Sequence, residues 1–343
     1  MNTATQTLTN TTTTQAAELF ACNTCGEAKL AGGYTFRKQR GTSYRMPICK
    51  ACRSNGAKAN VVPDVMKSLR FGVEVEWASG ATRQAVAQAI ALRIGGVAST
   101  SYNACAVTMA DGRQIGIVYD GSCPNGGEMV TPIFTWADMA TLKEIVRAMR
   151  GAGCIIDDGC GIHVHVDGLL FETAAQIKNM MRIHNRYWPT LNRVINPRAS
   201  RVQYAREIAE SKIAAIEKCG TKAEIADVWY SGNNYGRDRK YNATRYHAIN
   251  MHSLFFRGTV EFRHFDSTLH AGKVRSYVEL CLAMAAKALT VTQVSSKREA
   301  YTAGAEAKFF RYLGVQGAEF KVMRHHLSNN ALSACGQAAQ GWT

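Results

Sequence analysis

Alternation of apolar and polar residues is the clearest pattern in the middle of the chain, and it predicts short β-strands. Along residues 71–77, for example, Phe71, Val73 and Trp77 share one face of an extended chain while Glu74 and Glu76 share the other. Runs with strand character cover residues 70–77, 104–110, 114–119, 128–132, 162–167, 248–255 and 258–264.

Stretches in which apolar residues recur every three or four positions predict helices between these strands. They cover residues 82–94, 135–150, 173–195, 204–217, 222–230 and 273–290. Thr135 with Asp138 and Thr221 with Glu224 have the spacing of a capping box, which supports two of the helix starts. The last two strand candidates, joined by Arg257 and Gly258, indicate a β-hairpin. We therefore expect an α+β fold in which an antiparallel sheet is backed by helices.

The chain divides by composition into five segments. Residues 1–18 are Thr-rich and predicted to be disordered, 19–55 form a cysteine-containing module, and 56–69 have the polar, aperiodic character of a linker. Residues 70–295 are predicted to form one catalytic domain, and 296–343 a helical extension with a small-residue tail. Within the domain, residues 197–246 are a polar, basic helical insertion. This insertion is compatible with a lid over a nucleotide or with a solvated helical hairpin.

Charge and cysteine usage narrow the class of protein. The 343-residue chain is 46% hydrophobic and 20% charged, as in soluble globular proteins, and it contains no stretch typical of a membrane span. Its first residues lack the features of a secretory signal, and eleven cysteines without a regular framework argue against a disulfide scaffold. We therefore expect a cytoplasmic protein without a membrane partner. The formal charge of +15 indicates a polyanionic partner such as nucleic acid, a nucleotide or an acidic polymer.

Two Cys-x-x-Cys motifs, Cys22 with Cys25 and Cys49 with Cys52, predict a structural Zn(II) site in residues 19–55. Four thiolates at this spacing can close a tetrahedral site, and so short a segment has too little apolar content to form a core without a metal. Residues 1–70 also hold ten Lys or Arg against three Asp or Glu. The basic module is therefore compatible with recruiting a nucleic acid, a protein or a peptide, and its aromatic residues permit nucleic-acid binding: Tyr34, Phe36 and Tyr44.

Glu74 and Glu76 point to the same side of their strand, about 7 Å apart. Adjacent carboxylates repel unless a cation lies between them, and carboxylate oxygens suit Mg(II) or Mn(II). The alternative is an exposed polar face of an edge strand. His163 and His165 repeat the arrangement with imidazoles on the strand 162–167, which favours a metal or phosphate contact. This pair is equally compatible with a zinc hydrolase.

Two further segments carry candidate chemistry. Glu261 and Arg263 share one face of the last strand, where they could form a simple salt bridge or bind a metal-bound phosphate. Glu128 follows a pair of glycines that would let the backbone approach a ligand closely, and Asp120 is either a turn residue or a ligand. The sequence contains no Walker-type phosphate loop.

Taken in their order along the chain, the segments that contain these carboxylates, histidines and Arg263 resemble the amidoligase family of the glutamine-synthetase-like carboxylate–amine ligases. The resemblance covers residues 70–285. The family pattern has a Glu-x-Glu strand, a Glu before Ser-Pro, a Gly-x-His-x-His strand, an Arg-Tyr pair followed by Asn, and a Thr-x-Glu-x-Arg strand. The matching positions here are Glu74 and Glu76; Glu128 before Thr131 and Pro132; Gly161, His163 and His165; Arg245, Tyr246 and Asn250; and Thr259, Glu261 and Arg263. Thr131 replaces the family's Ser, and the insertion before Arg245 is longer than the pattern leads us to expect.

The resemblance implies a curved antiparallel sheet whose concave face binds Mg(II) or Mn(II) between ATP and the acceptor. A phosphoryl group would pass from ATP to a substrate carboxylate, and an amine would then displace phosphate to form an amide. Arg263 would stabilise the transferred phosphoryl group and Arg245 would assist or bind the carboxylate, with Asn250 and Asp120 as substrate contacts. The implied metal ligands are Glu74, Glu76, Glu128, Glu261 and one or both of His163 and His165.

Two other classes stay open on the sequence alone. A metal-dependent hydrolase would use His163 and His165 with a zinc-bound water and would act without ATP. A non-enzymatic nucleic-acid-binding protein would act through the basic zinc module, although the acidic strand faces are poor surfaces for a polyanion. The sequence identifies neither the carboxylate-bearing nor the amine-bearing substrate, and a peptide or protein substrate is compatible with it.

Overall fold

The computed structural model describes residues 62–334, except 102–103 and 233–234, together with the backbone of four short strands nearer the N-terminus. The chain forms two compact units, residues 1–61 and 62–343. In the first unit, β1 (Leu19–Ala21) pairs antiparallel with β2 (Ala28–Leu30), and β3 (Tyr34–Gln39) with β4 (Thr42–Cys49). The predicted tail and the predicted zinc ligands, including the side chain of Cys49, lie outside the described residues, so both stay predictions.

Eight antiparallel strands form the central sheet of the second unit. They are β5 (Phe71–Trp77), β6 (Val97–Thr100), β7 (Cys105–Thr108), β8 (Gln114–Val118), β9 (Gly127–Val130), β10 (Gly161–Asp167), β11 (Ile249–Asn250) and β12 (Thr259–Asp266). Their order across the sheet is β11-β12-β10-β5-β9-β8-β7-β6. Strands β10, β5 and β9 therefore lie side by side near the middle of the sheet.

Helices cover one face of this sheet, so the predicted α+β class with a helix-backed antiparallel sheet is confirmed. They are α1 (Val62–Ser68), α2 (Arg83–Ile94), α3 (Met139–Gly151), α4 (Ala174–Arg186), α5 (Trp188–Ile195), α6 (Glu210–Glu217), α7 (Lys222–Trp229), α8 (Met251–Phe256), α9 (Ala271–Thr290), α10 (Ala305–Leu313) and α11 (Lys321–Ala334). Short 3-10 turns occur at Trp136–Asp138, Ala199–Arg201, Ala243–Arg245 and Ala318–Phe320. Both predicted capping boxes are present, before the 3-10 turn that leads into α3 and before α7.

The hydrophobic core lies between the apolar face of the sheet and helix α9. Phe71, Val73, Val75 and Trp77 on β5 are fully or almost fully buried, as their alternation predicts. Most of α9 is buried as well, because it packs on β5 and β10 and also contacts α1, α3, α4 and α11. Burying these side chains fixes which face of each strand points away from the helices. In the described part of the chain, no helix is long and apolar enough to cross a membrane.

The prediction of a strand over residues 248–255, and with it the hairpin, is wrong beyond Asn250. Only Ile249 and Asn250 pair with β12, and the chain then forms helix α8 before returning. Asn250 ends the strand because its side chain accepts a hydrogen bond from Ser253 N at 3.3 Å, as an N-cap residue does. Residues Met251 to Leu254 are buried consecutively instead of alternately, which fits a helix end packed on the core.

Other boundaries also differ from the predictions. The helix predicted over residues 173–195 breaks at Tyr187, because Pro189 has no N–H with which to continue the hydrogen bonding of α4. The helix predicted from residue 204 begins only at Glu210, since the backbone of Arg206 pairs with Tyr246 and Ala248. The segment 56–69, predicted to be a linker, ends in helix α1, and strand β6 was not predicted.

Candidate active site

The register of the three central strands places four predicted site residues on one face. Glu74 of β5 lies directly opposite His163 of β10, and Glu76 lies opposite Glu128 of β9. Side chains of directly opposed residues in antiparallel strands point to the same side. Because the apolar residues of these strands face the helices, the four polar side chains lie on the opposite face.

The same row continues across the next two strands. His165 of β10 lies opposite Glu261 of β12, and Glu261 lies opposite Asn250 of β11. Arg263, two residues after Glu261, adds a guanidinium to that end of the row. Five neighbouring strands therefore contribute side chains to one polar surface.

This surface forms the floor of a cavity of about 330 Å³. The cavity is lined by all the residues that the sequence assigned to an active site: Glu74, Glu76, Asp120, Glu128, His163, His165, Arg245, Asn250, Glu261 and Arg263. The structure thus brings the predicted residues together, while their individual roles stay predictions.

Both histidines of the floor use one ring nitrogen and leave the other without a hydrogen bond. His163 Nδ1 lies 2.9 Å from Glu74 Oε2, and His165 Nδ1 lies 3.0 Å from Thr259 Oγ1. In each ring, the buried Nε2 has no hydrogen-bond partner. His165 Nε2 is 3.3 Å from Glu74 Oε1, but the angles do not make a hydrogen bond. Metal-binding histidines characteristically anchor one nitrogen in this way and present the other to the ion.

Two overlapping groups of side chains could each hold a metal ion. Glu74, His163 and Glu261 form one group, and Glu76, Glu128 and His163 form the other; in each, the candidate ligand atoms lie within 4.8 Å of one another. Two carboxylates and one imidazole make an oxygen-rich ligand set, which suits Mg(II) or Mn(II) better than the nitrogen- and sulfur-rich sets preferred by Zn(II). This donor set therefore fits a divalent hard cation.

Glu128 is a carboxyl group whose ionised form the floor does not stabilise. Burial, together with the nearby carboxylates of Glu74 and Glu76, raises the pKa of Glu128 to about 9. A carboxyl group with this pKa is protonated at neutral pH unless positive charge is brought close to it.

Glu261 behaves in the opposite way. Burial alone would raise its pKa, but His165 and Arg263 outweigh burial and lower the pKa to about 2. Both carboxylate oxygens are engaged, since Arg263 NH1 donates to Oε1 at 2.5 Å and Asn250 Nδ2 donates to Oε2 at 2.7 Å. Asn250, predicted as a substrate contact, thus holds Glu261 and caps α8 while also lining the cavity.

Arg245 and Asp120 lie at the walls of the cavity. The Arg245 guanidinium packs on the rings of Tyr241 and Tyr246, at 4.8 and 4.9 Å from their centroids. Asp120 Oδ1 accepts a hydrogen bond from Ser122 N at 2.7 Å, so it shapes a turn and also faces the cavity.

The first of the two glycines before Glu128 has a structural reason to be glycine. Gly126 lies so close to the main chain of β5 that a Cβ atom would come within 1.9 Å of the Trp77 carbonyl oxygen. A larger residue cannot fit there, and the predicted approach of this backbone to a ligand stays a prediction.

Several cationic and aromatic side chains that the sequence analysis did not single out also line the cavity: Arg201, Tyr204, Lys240, Tyr241 and Arg257. Four of them, all except Arg257, come from the basic insertion 197–246 that was compatible with a lid, and Lys240 and Tyr241 are directly beside one another. The signal available in the sequence was this mixture of basic and aromatic residues. Its position opposite an acidic floor depends on the fold.

The fold and the cavity together define an α+β protein with a carboxylate- and histidine-lined pocket on one face of an antiparallel sheet. A sequence family described as "Putative amidoligase enzyme" matches residues 67–285, which is more than half of the chain. The chain belongs to this amidoligase family, so it is an enzyme of the ligase class that forms amide bonds. No curated protein matches the chain.

Proposed function

We propose that the protein is an ATP- and Mg(II)-dependent ligase that joins a carboxylate to an amine through an acyl phosphate. The observation that carries the proposal is the row of carboxylates and imidazoles across four strands, in which Glu128 has a pKa of about 9 and both histidines have an unpartnered Nε2. Such a floor favours positive charge, which metal ions that also bind nucleotide phosphates would supply.

The residues that would hold Mg(II), or Mn(II), are those of the floor: Glu74, Glu76, Glu128, Glu261 and one or both of His163 and His165. When bound, the ions would neutralise phosphate oxygens and polarise the phosphoryl group that is transferred. Cation binding would also favour the ionised form of Glu128, because it offsets the repulsion from Glu74 and Glu76.

Arg263 is placed to bind phosphoryl oxygens. Its NH1 is engaged with Glu261, whereas its Nε is buried without a hydrogen-bond partner and the side chain lines the cavity. A guanidinium held in place by a neighbouring carboxylate is a preorganised donor for charge that develops during phosphoryl transfer. Arg245, fixed against two tyrosines, is proposed to bind the substrate carboxylate.

The proposed reaction has two steps. A carboxylate oxygen of the first substrate attacks the γ-phosphorus of ATP, and ADP leaves. The amine of the second substrate then attacks the acyl carbon, loses a proton, and inorganic phosphate leaves. Arg263 and the basic side chains of the cavity wall, Lys240 and Arg257 among them, would hold the anionic groups through both steps.

The hydrolase alternative receives less support from the geometry. A zinc hydrolase based on the His-x-His pair would need both imidazoles on one ion, whereas only His163 belongs to the candidate ligand groups among the described residues.

The nucleic-acid-binding alternative depends on the N-terminal module. We retain Zn(II) binding by Cys22, Cys25, Cys49 and Cys52, recruitment through that module and a cytoplasmic location as proposals, the first testable by elemental analysis.

The direct test is release of ADP and phosphate by the purified chain with panels of carboxylates and amines. We expect Mg(II)-dependent ATP consumption that requires one member of each class and stops with a chelator. Binding of ATP with Mg(II) is measured in parallel, so that a missing acceptor does not hide the result. A chain that binds no nucleotide with either metal would overturn the proposal. A chain that cleaves a substrate with metal and without ATP would overturn it in favour of a hydrolase.

A further inference from the structure

Two buried thiols lie in contact beside the cavity. Cys123 Sγ is 3.5 Å from Cys160 Sγ, and the two residues are 2% and 1% exposed. Cys123 lies in the turn between β8 and β9, and Cys160 lies in the turn that leads into β10. Among the described residues, no other two cysteines make a thiol–thiol contact.

The turn that holds Cys123 is the less constrained side of this pair. A disulfide requires the sulfur atoms to approach to about 2.05 Å. Cys123 N–H bonds to Asp120 O at 3.1 Å within its turn. Cys160 N–H bonds to Asp157 O at 3.3 Å, and its carbonyl oxygen accepts from Ser267 N at 3.0 Å beside the β10–β12 pairing. Ser122 and Pro124 flank Cys123 and are exposed, so opening of this turn would admit a small reagent.

Both turns are joined to the floor and wall of the cavity. Ser122 and Gly159, each next to one of the cysteines, line the cavity. Gly161, which follows Cys160, donates its N–H to Glu76 Oε2 at 2.6 Å. A bond between the two sulfur atoms would therefore shift groups that contact the candidate metal-binding carboxylates.

We propose that Cys123 and Cys160 form a reversible disulfide and constitute a redox modification site that controls the cavity. The oxidant is a low-molecular-weight disulfide. One protein thiolate attacks it, forming a mixed disulfide and releasing one small thiol; the second protein thiolate attacks the mixed disulfide and releases the other. Two protein thiols and one small disulfide thus become one protein disulfide and two small thiols. The hydrogen bond from Cys160 lowers the pKa of Cys123, which favours Cys123 as the first nucleophile.

The site itself is tested without any activity measurement. The native chain is incubated with glutathione disulfide, its remaining thiols are alkylated, and the digest is analysed by mass spectrometry. We expect a peptide linking Cys123 to Cys160 that disappears after treatment with dithiothreitol. Cys123→Ser should abolish the link, and Cys219→Ser, which removes a buried cysteine elsewhere, should leave it intact. Recovery of both cysteines as alkylated residues, or a stable glutathione adduct without the link, would overturn the proposal.

The proposal that the disulfide controls the cavity rests on the proposed function, and it is tested separately. We expect oxidation to lower Mg(II)-dependent ATP turnover roughly tenfold to hundredfold, since small displacements of positioned groups have effects of this size. Reduction should restore turnover, and Cys123→Ser should be insensitive to the oxidant. Affinity for Mn(II) is measured on the same samples, so the test stands even without turnover. A linked protein with unchanged Mn(II) affinity and turnover would disprove the control and leave the ligase proposal intact.

Discussion

Glu128 and Glu261 are the same kind of residue on the same face of one sheet, yet their pKa values are shifted in opposite directions. Glu261 keeps its charge because His165 and Arg263 outweigh its burial and lower its pKa to about 2, while Arg263 and Asn250 bind its two oxygens. Glu128 is buried beside other carboxylates, and its pKa rises to about 9. The comparison shows that the chain balances its own charge at the β12 end of the floor but not at the β9 end.

This difference suggests that the two ends of the floor have different roles. The β12 end is preformed, since a buried carboxylate with two hydrogen-bond donors is already held in its ionised geometry. The β9 end, where Glu76 and Glu128 lie opposite one another, depends on an external cation to become fully ionised. We therefore expect substitutions at the two ends to differ in kind as well as in size.

The largest effect is expected from neutral substitutions on β5, the strand that supplies Glu74 and Glu76 to the floor. Glu74→Gln and Glu76→Gln should each abolish Mg(II)-dependent ATP turnover, because an amide keeps the shape of the side chain and removes the charge that a cation needs. Melting curves should stay close to wild type. Glu144→Gln, at a half-buried position of α3 where Glu144 pairs with Arg93 and Arg147 away from the cavity, changes the net charge equally and serves as the control. Wild-type turnover with a normal melting curve in both variants would mean that the strand is only a polar edge.

The next largest effect is expected at Arg263. Arg263→Ala should reduce turnover by roughly 10²-fold or more, as loss of comparable charge-stabilising donors does, with a smaller effect on ATP binding. Stability should fall as well, because the variant leaves the buried Glu261 carboxylate without its cation.

Arg263→Lys separates these two consequences. A lysine restores a positive charge beside Glu261, so the melting temperature should recover, but a point charge cannot reproduce two-pronged binding of phosphoryl oxygens and turnover should recover only in part. Melting temperature, ATP affinity and phosphate release are measured on the same preparations. If the alanine variant releases phosphate at the wild-type rate, the assigned role of Arg263 is wrong.

The smallest effect is a change in the pH dependence of folding stability. In the metal-free chain, the folded state holds the Glu128 proton up to about pH 9, whereas the unfolded chain releases it near the ordinary value of 4.5. The contribution of this group to the free energy of unfolding is therefore complete below pH 4.5 and is lost as the pH rises toward 9. Urea unfolding with a chelator should show this decline, and Glu128→Gln should flatten it.

At the β12 end of the floor, the free energy of unfolding depends on pH in the opposite direction. The lowered pKa of Glu261 gives a contribution that is present above its ordinary value of 4.5 and is lost as the pH falls toward 2. Glu261→Gln should therefore alter the acid side of the profile and Glu128→Gln the alkaline side. Identical pH profiles for the two variants would contradict the contrast between the two carboxyl groups.

The sequence was informative where a pattern is local. A two-residue period was sufficient to place Glu74 with Glu76, and His163 with His165, on the polar faces of their strands. It could not supply the register, because the pairing of Glu74 with His163 joins positions 89 residues apart. It also could not show that Gly126 serves a strand contact, since the Trp77 carbonyl lies far from it in the chain.

The errors have a common cause in tertiary contacts. Residues 251–256 contain enough apolar side chains to resemble a strand, and the cap formed by Asn250 and burial against the core make them helical. The composition was sufficient to identify the basic insertion. It could not show that Lys240 and Tyr241 line the cavity, because that depends on the tertiary position of the insertion.

The most direct test of the central claim is binding of Mn(II) to the metal-free chain, followed by electron paramagnetic resonance. We expect wild type and Glu144→Gln to bind Mn(II) equally and Glu76→Gln to bind it at least about tenfold more weakly, a loss typical of damaged metal sites. Binding should also tighten as the pH rises toward 9, because Glu128 must ionise. No Mn(II) binding by wild type, or equal binding by Glu76→Gln, would contradict the account.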